Sequence, residues 1–384
     1  MAPSTWLEQA SLSKTIGTAF ALEYFAARGV PLDTPVNDLL ARAGSPLRLG
    51  AAPGKPAAWA DALKLHHLMD HSGLGLHYVN GIALDDPRPI PPVLALVAGG
   101  PRAREHGYPA EGLRVEKEPG TRFGYSGGGF LVLQHLLETL EGGAPIAEVT
   151  RPFLDACGMR EFSFAQRAPA LPEGAQHVAT GFKDDGTPVR GTRLMFPPFA
   201  AGGLGSPRAL AAFLRVLADA YAGKRGLPIS PATARAMLDA GGARRGNERA
   251  DLGSFEFMRA RMGLGTFVAN AGPNRLMLHQ AANDGFRGLY LVCFEGPDAG
   301  KGLVVLCNGD NKGMFVNCEA TKLLLAPLLR HGVDWARVDG KIAQFEAALA
   351  GGMRQEEIVN LGLRDIVFAA FDDDASPVPG RARL

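Results

Sequence analysis

No run of about eighteen apolar residues occurs in the sequence, so no segment reads as a membrane-spanning helix. The first ten residues, with Glu8 among them, lack the basic start and apolar stretch of a signal peptide. Excess charge of either sign is missing too. Lys and Arg number 40 against 39 Asp and Glu, a net charge of +1, which leaves no basic footprint for nucleic acid. Cysteine is scarce: Cys157, Cys293, Cys307 and Cys318 show no C-x-x-C spacing, which argues against a zinc site and against a disulfide framework. Cys293 and Cys307 fall in apolar runs and read as buried free thiols, a usage that fits a reducing compartment. The chain therefore reads as cytoplasmic, unless a segment upstream of Met1 carried a signal. No internal repeat is found.

What is present is an ordinary globular balance, 46% hydrophobic and 21% charged over 384 residues, enough for a large core and more than one subdomain. Glycine (49) and proline (28) are plentiful, so helices are short and sharply delimited. Residues 11–28 form the first clear helix, with Leu12, Ile16, Ala19, Phe20, Leu22 and Phe25 on a broad apolar stripe. Gly29 is placed to cap it and Pro31 prevents its continuation. Residues 39–60 read as loop. Further helices are expected at 61–70, 92–97, 129–141 and 207–222. After Gly263 the pattern changes to short apolar runs at 263–269, 275–280, 288–295 and 302–308, bounded by Gly, Pro, Asn and Asp, which read as successive antiparallel strands. A helix over 315–331 follows, with Cys318, Leu323, Leu324 and Leu328 expected inward. The last stretch holds a helix-like part at 342–349 and a short apolar run at 366–371. The layout is α+β.

One motif carries nucleophilic chemistry: Ser11-Leu12-Ser13-Lys14, a Ser-x-x-Lys at the start of the first helix. Free N–H groups and the helix dipole there favour a developing anion, and position i+3 brings Lys14 round to the same face. A serine hydroxyl needs a base, and a desolvated lysine can lose its proton and serve. The alternative is that Ser11 only caps the helix and Lys14 is solvated. His66, His67, Asp70 and His71 suggest a metal cluster, but they lack the Glu arrangement of a zinc protease. Gly127-Gly128-Gly129 lacks the context of a phosphate loop.

The run around Ser11 resembles the nucleophile segment of the serine β-lactamase and penicillin-binding-protein superfamily, most closely its class C-like branch with the family VIII esterases and D-amino-acid peptidases. Four more segments match in order: residues 65–74 (LHHLMDHSGL), 119–126 (PGTRFGYS), 201–204 (AGGL) and 279–286 (HQAANDGF). The resemblance covers residues 5–331. It implies a β-lactamase/transpeptidase-like fold, an antiparallel sheet flanked by helices plus a mainly helical domain. It also implies roles: Ser11 as acyl-forming nucleophile, Lys14 as its proton acceptor, and Tyr125 sharing that proton and passing it to the leaving group. His279 and Gln280 would line the substrate pocket, and the backbone N–H groups of Ser11 and Ala282 would form the oxyanion hole. It implies no cofactor and no metal. His71 is assigned to a structural turn beside Ser72-Gly73.

Three departures from the family pattern shape the reading. Gly127 replaces the asparagine of the Tyr-x-Asn motif, and His279-Gln280-Ala281 replaces Lys-Thr-Gly. Both favour small neutral esters over β-lactams. Only ten residues precede Ser11, so the usual N-terminal strands are expected to be missing. That leaves an unpaired apolar edge on 302–308, open to truncation, to self-association into a homo-oligomer, or to pairing with 366–371. The expected organisation is a nucleophile helix and connecting loop (1–60), a mainly helical domain (61–240), the sheet and closing helix (241–335) and a C-terminal extension (336–384). The expected function is a serine hydrolase acting on small carboxylic esters. The alternatives are a β-lactamase or D-amino-acid peptidase, and a catalytically silent binding protein of the same fold. Its partner is a small-molecule ester or amide, with neither nucleic acid nor membrane.

Overall fold

A computed structural model describes residues 5–86, 88, 90–167, 178–189, 194–239, 260–329 and 335–352. The chain opens with a short strand, β1 (Leu7–Ala10), followed by helix α1 (Ser13–Ala27). Short elements follow: α2 (Val36–Arg42), β2 (Gly50–Ala51), α3 (Ala58–Ala62), α4 (Leu65–Met69), β3 (Ile82–Ala83), α5 (Val93–Ala98), α6 (Pro101–Glu105) and β4 (Arg114–Val115). Longer helices α7 (Gly127–Leu140) and α8 (Ile146–Ala156) come next, then β5 (Phe162–Ser163), β6 (Leu194–Met195), α9 (Pro198–Ala201) and β7 (Gly203–Gly205). Helices α10 (Pro207–Tyr221) and α11 (Pro231–Leu238) lead to the main sheet, β8 (Arg261–Met262), β9 (Phe267–Ala271), β10 (Asn274–Asn283), β11 (Phe286–Glu295) and β12 (Gly302–Cys307). Helices α12 (Asn311–Leu325) and α13 (Trp335–Ala350) close the described chain.

The sheet is antiparallel in the order β12-β11-β10-β9-β8. Its longest hairpin turns on Asp284-Gly285, with Asn283 opposite Phe286 and Gly285 at φ +76°, the left-handed backbone a two-residue Asp-Gly turn requires. β9 pairs with β10 only as far as Leu278, opposite Phe267, so residues 279–283 continue past that neighbour. Among the described residues β12 pairs with β11 alone, and its other edge carries no strand. Run 366–371, one of the alternatives raised for that edge, lies outside the described residues.

Several boundaries differ from expectation for physical reasons. β1 is a strand not anticipated from the sequence. It pairs antiparallel with β7, which also pairs with β5, and a bulge falls between Glu8 and Ala10. Residues 39–60 are not all loop, because they hold most of α2, then β2 and the start of α3. The helix expected at 61–70 is broken at Leu63-Lys64, where the Val36 N–H bonds the Leu63 carbonyl at 2.8 Å and the Leu65 N–H bonds the Thr34 carbonyl at 3.0 Å. Among the described side chains of α12, Asn317 and Thr321 are buried, and Cys307 Sγ reaches Asn317 Oδ1 at 3.0 Å; the side chain of Cys318, also expected inward, lies outside those described. Leu323 and Leu324 are exposed (68% and 56%), as is Leu328 beyond the helix, so these three do not point inward. A repeat of leucines marks an apolar face without saying which way it turns. Cys157 and Cys293 are buried free thiols, and Cys307 is half-buried and free.

Helix starts follow capping chemistry. Ser126, Ser206 and Ser230 accept the N–H groups of Gly129, Ala209 and Thr233, and Pro207 and Pro231 take the first helical position. Helix α7 then presses against α4 and the loop after it. A Cβ on Gly128 would stand 2.7 Å from the Gly75 carbonyl, and one on Gly129 would stand 2.4 Å from that of Leu68. The glycine triplet is therefore a close-packing device. We expect Gly129→Ala to destabilise the protein by about 1–3 kcal/mol, read as a lowered thermal midpoint, because the obstruction is rigid backbone.

Candidate active site

Ser11 sits between β1 and α1. The bulge in β1 and a left-handed Ala10 (φ +44°) turn the chain sharply just before it, a conformation that costs a non-glycine residue about 1–2 kcal/mol. Helix α1 is not the amphipathic element its stripe implied: twelve of its fifteen residues are buried, polar ones included. Several buried polar groups hold the helix in place. Ser13 Oγ accepts the Gly203 N–H at 2.9 Å. Thr15 Oγ1 donates to the Gly265 carbonyl at 2.7 Å and lies 2.8 Å from the Tyr290 hydroxyl, itself 2.7 Å from Thr266 Oγ1. Asn283 Nδ2 donates to Glu8 Oε2 at 2.8 Å and to the Ala201 carbonyl at 3.2 Å, joining β10, β1 and α9. These side chains fix Ser11 against the sheet. None of them carried a sequence signal, because lone polar residues in apolar runs look like surface positions.

Lys14 is the centre of the arrangement. Its Nζ lies 3.1 Å from Ser11 Oγ and donates to the Ala200 carbonyl at 2.5 Å, and the residue is only 2% exposed. The Tyr125 and Phe130 rings stand 5.0 and 5.6 Å away. Two ring faces favour the ammonium, but burial outweighs them and lowers the amine from 10.5 to about 7. Burial acts the opposite way on Tyr125 and pushes its hydroxyl well above the usual phenol range, against a lowering influence from Ser11. One environment thus produces an amine that can lose its proton near neutral pH beside a phenol that keeps its own.

His279, on the part of β10 past β9, is buried, and its ring centroid lies 6.1 Å from that of Tyr125 and 5.3 Å from that of Phe267. Its Nδ1 stands 2.5 Å from the Gln280 carbonyl, which can only accept, so the proton sits on Nδ1. Nε2 is then a bare acceptor, buried without a partner. Burial and the Lys14 charge depress its pKa to about 3, so the imidazole is neutral. Gln280 is not brought to this cluster: neighbouring strand residues face opposite ways, and its Nε2 reaches Met314 Sδ on α12 at 3.7 Å. Ala282 lies on the same free stretch of β10.

The departure at 127 and the turn assignment of His71 both take on physical form. A Cβ on Gly127 would stand 2.8 Å from Val79, so the loop at 77–79 occupies the space of the missing asparagine side chain. His71 belongs to the cluster more than its assignment to a turn implied, because its ring stacks on Tyr125 at 4.3 Å and 27°. His66 and His67 face elsewhere. His66 bridges Asp70 (3.2 Å) and Asp33 (3.1 Å), and His67 Nδ1 accepts the Lys64 N–H at 3.0 Å. Among the described residues no group of three or more His, Cys, Asp or Glu is arranged to hold a metal. No described helix is long and apolar enough to cross a membrane.

Lys14 lies buried beneath the Tyr125 ring, three residues after a half-buried Ser11 and between an antiparallel sheet and a helical layer, in a fold whose family members are serine hydrolases. Residues 1–326 match the Beta-lactamase family, and the chain belongs to it. No curated protein matches the sequence. Among solved structures, the chain is similar to an octameric penicillin-binding protein homologue from Pyrococcus abyssi (20% identity, TM-score 0.55, 85% of this chain and 67% of that one). It is also similar to the D-amino acid amidase of Ochrobactrum anthropi (18%, 0.55, 80% and 78%) and to EstCE1, a hydrolase with promiscuous acyltransferase activity (19%, 0.54, 82% and 82%). At these identities the likeness shows the β-lactamase/transpeptidase-like fold.

Burying Lys14 has a stability cost with a definite pH window. Between pH 10.5 and about 7 the unfolded chain binds a proton that the folded protein does not, so this group's contribution falls as pH drops through that range and is at its worst below 7. Lys14→Met should therefore raise the thermal midpoint over the parent, and by more at pH 6 than at pH 9. A gain equal at both values would contradict a buried, depressed amine.

Proposed function

We propose that the chain is a serine esterase working through an acyl-enzyme on Ser11. The observation that carries the reading is the 3.1 Å approach of a water-excluded Lys14 amine, lowered to about 7, to Ser11 Oγ. The neutral amine takes the hydroxyl proton as Oγ bonds the ester carbonyl carbon. The resulting oxyanion is stabilised by the N–H groups of Ser11 and Ala282, each such donor worth roughly 3–4 kcal/mol. Collapse breaks the bond to the alcohol oxygen, which receives its proton from Tyr125 as Lys14 returns one to the phenol. Water, deprotonated by the same amine, then attacks the acyl carbon, the carboxylic acid leaves, and Ser11 regains its hydrogen.

Two features of this chain support neutral esters over β-lactams or acidic peptides. The β10 position facing the cluster is a neutral imidazole with a bare Nε2 lone pair, which repels a substrate carboxylate where an ammonium would bind it. The room for an amide-binding asparagine at 127 is filled by Val79.

Ser11→Ala should lower hydrolysis of p-nitrophenyl acetate by at least about 10³-fold. Activity retained in that variant would sink the proposal. In the parent enzyme kcat/KM should rise with pH through a midpoint near 7, since Lys14 must be deprotonated to accept the Ser11 proton. A flat profile between pH 5.5 and 8.5 would remove Lys14 from that role.

A further inference from the structure

Tyr125 lies in the loop before α7, and loops hold a catalytic atom less firmly than regular elements do. His71 grips it on three sides. The Gly124 N–H donates to the His71 carbonyl at 2.9 Å, just before the tyrosine. Just after it, the Ser126 N–H donates to His71 Nδ1 at 2.9 Å, and the Ser126 carbonyl lies 3.0 Å from the same nitrogen. Between these anchors the two rings stack at 4.3 Å. On its outer side the imidazole is walled by Phe130 and Phe123, at 5.6 and 5.9 Å.

The backbone of His71 makes this grip possible. It is left-handed at φ +59°, a strained conformation for a residue of its size, and strain of this kind persists where the surrounding contacts over-determine it. The side chain is buried, and its Nε2 has no partner. A residue selected for stability alone would leave neither the strained backbone nor the orphaned nitrogen.

We propose that His71 is the positioning residue for Tyr125: its carbonyl and Nδ1 clamp the peptide on either side of the tyrosine so that the hydroxyl meets the leaving-group oxygen, and its ring packs against the phenol. The inference rests on the acyl-enzyme reading above and deepens it. His71 touches no reacting atom. Its effect is on proton delivery to the departing alcohol, so it must depend on how much that alcohol needs a proton. A p-nitrophenolate leaves without help, whereas a methoxide does not.

The test compares His71→Phe, which keeps a ring for the stack and loses the Nδ1 anchor, with His71→Asn. Asparagine tolerates the left-handed backbone and offers an oxygen near the Nδ1 position. Folding is checked by circular dichroism, and the active fraction by fluorophosphonate labelling of Ser11. The readout is the ratio of kcat/KM for p-nitrophenyl butyrate to that for methyl butyrate, which cancels any loss of active enzyme. His71→Phe should raise the ratio about tenfold or more, since positioned acid catalysis contributes roughly 10²–10⁴-fold. His71→Asn should keep it within about threefold of the parent. An unchanged ratio in His71→Phe overturns the inference; should His71→Phe not fold, an unchanged ratio in His71→Gly, which accepts the left-handed backbone and removes both the ring and Nδ1, overturns it instead. Failure of the acyl-enzyme reading itself shows separately, as hydrolysis surviving in Ser11→Ala.

Discussion

An amine sealed from water is the constraint on which the rest of the structure depends. In the proposed mechanism Lys14 serves Ser11 only if it gives up its charge near neutral pH, and burial is what moves it that far. Burial has to be enforced from every direction. Helix α1 is accordingly enclosed on nearly all its faces, α9 supplies a carbonyl to the amine, and α7 brings Phe130 against it. The glycines at 128 and 129 let α7 approach α4, and the serine caps fix where the flanking helices begin. The same exclusion of water raises Tyr125 and neutralises His279. One physical cause thus prepares three groups for different tasks.

Holding such a site open to substrate and closed to water requires precise docking of Ser11, the proposed nucleophile. Two polar ties achieve this. Thr15, Tyr290 and Thr266 join the helix to the sheet, while Glu8 and Asn283 join the strand before Ser11 to the strand that carries His279. Buried polar groups of this kind stabilise little in net terms, but leaving one unpaired costs about 1–3 kcal/mol, which makes the register hard to slip. The bulge in β1 and the left-handed Ala10 then aim the serine.

Much of this could be read from the sequence, and the limits have physical reasons. The helix at 11–28, its Gly29 stop, α10 and the strand series after Gly263 were legible because apolar period and punctuation agree there. Ser11, Lys14, Tyr125 and His279 were legible as ordered family segments, and the structure gathers them into one cluster. Gln280 reaches α12 rather than the cluster, since a segment match assigns a strand position without deciding its face. The leucines of α12 were turned the wrong way for the same reason. β1 escaped notice because four residues pairing with a distant glycine strand leave no local pattern. His71 was discounted as a turn residue, although its contacts fall on Tyr125, fifty-four positions along the chain, where local spacing carries no information.

The account stands or falls on the charge of one side chain. Its most direct test is an NMR titration of Lys14 in protein carrying ¹³C-labelled lysine, the resonance assigned by its loss in Lys14→Met. A midpoint near 7 is the predicted result. A midpoint close to the ordinary 10.5 would mean that the amine remains an ammonium beside Ser11, and the mechanism built on it would be wrong.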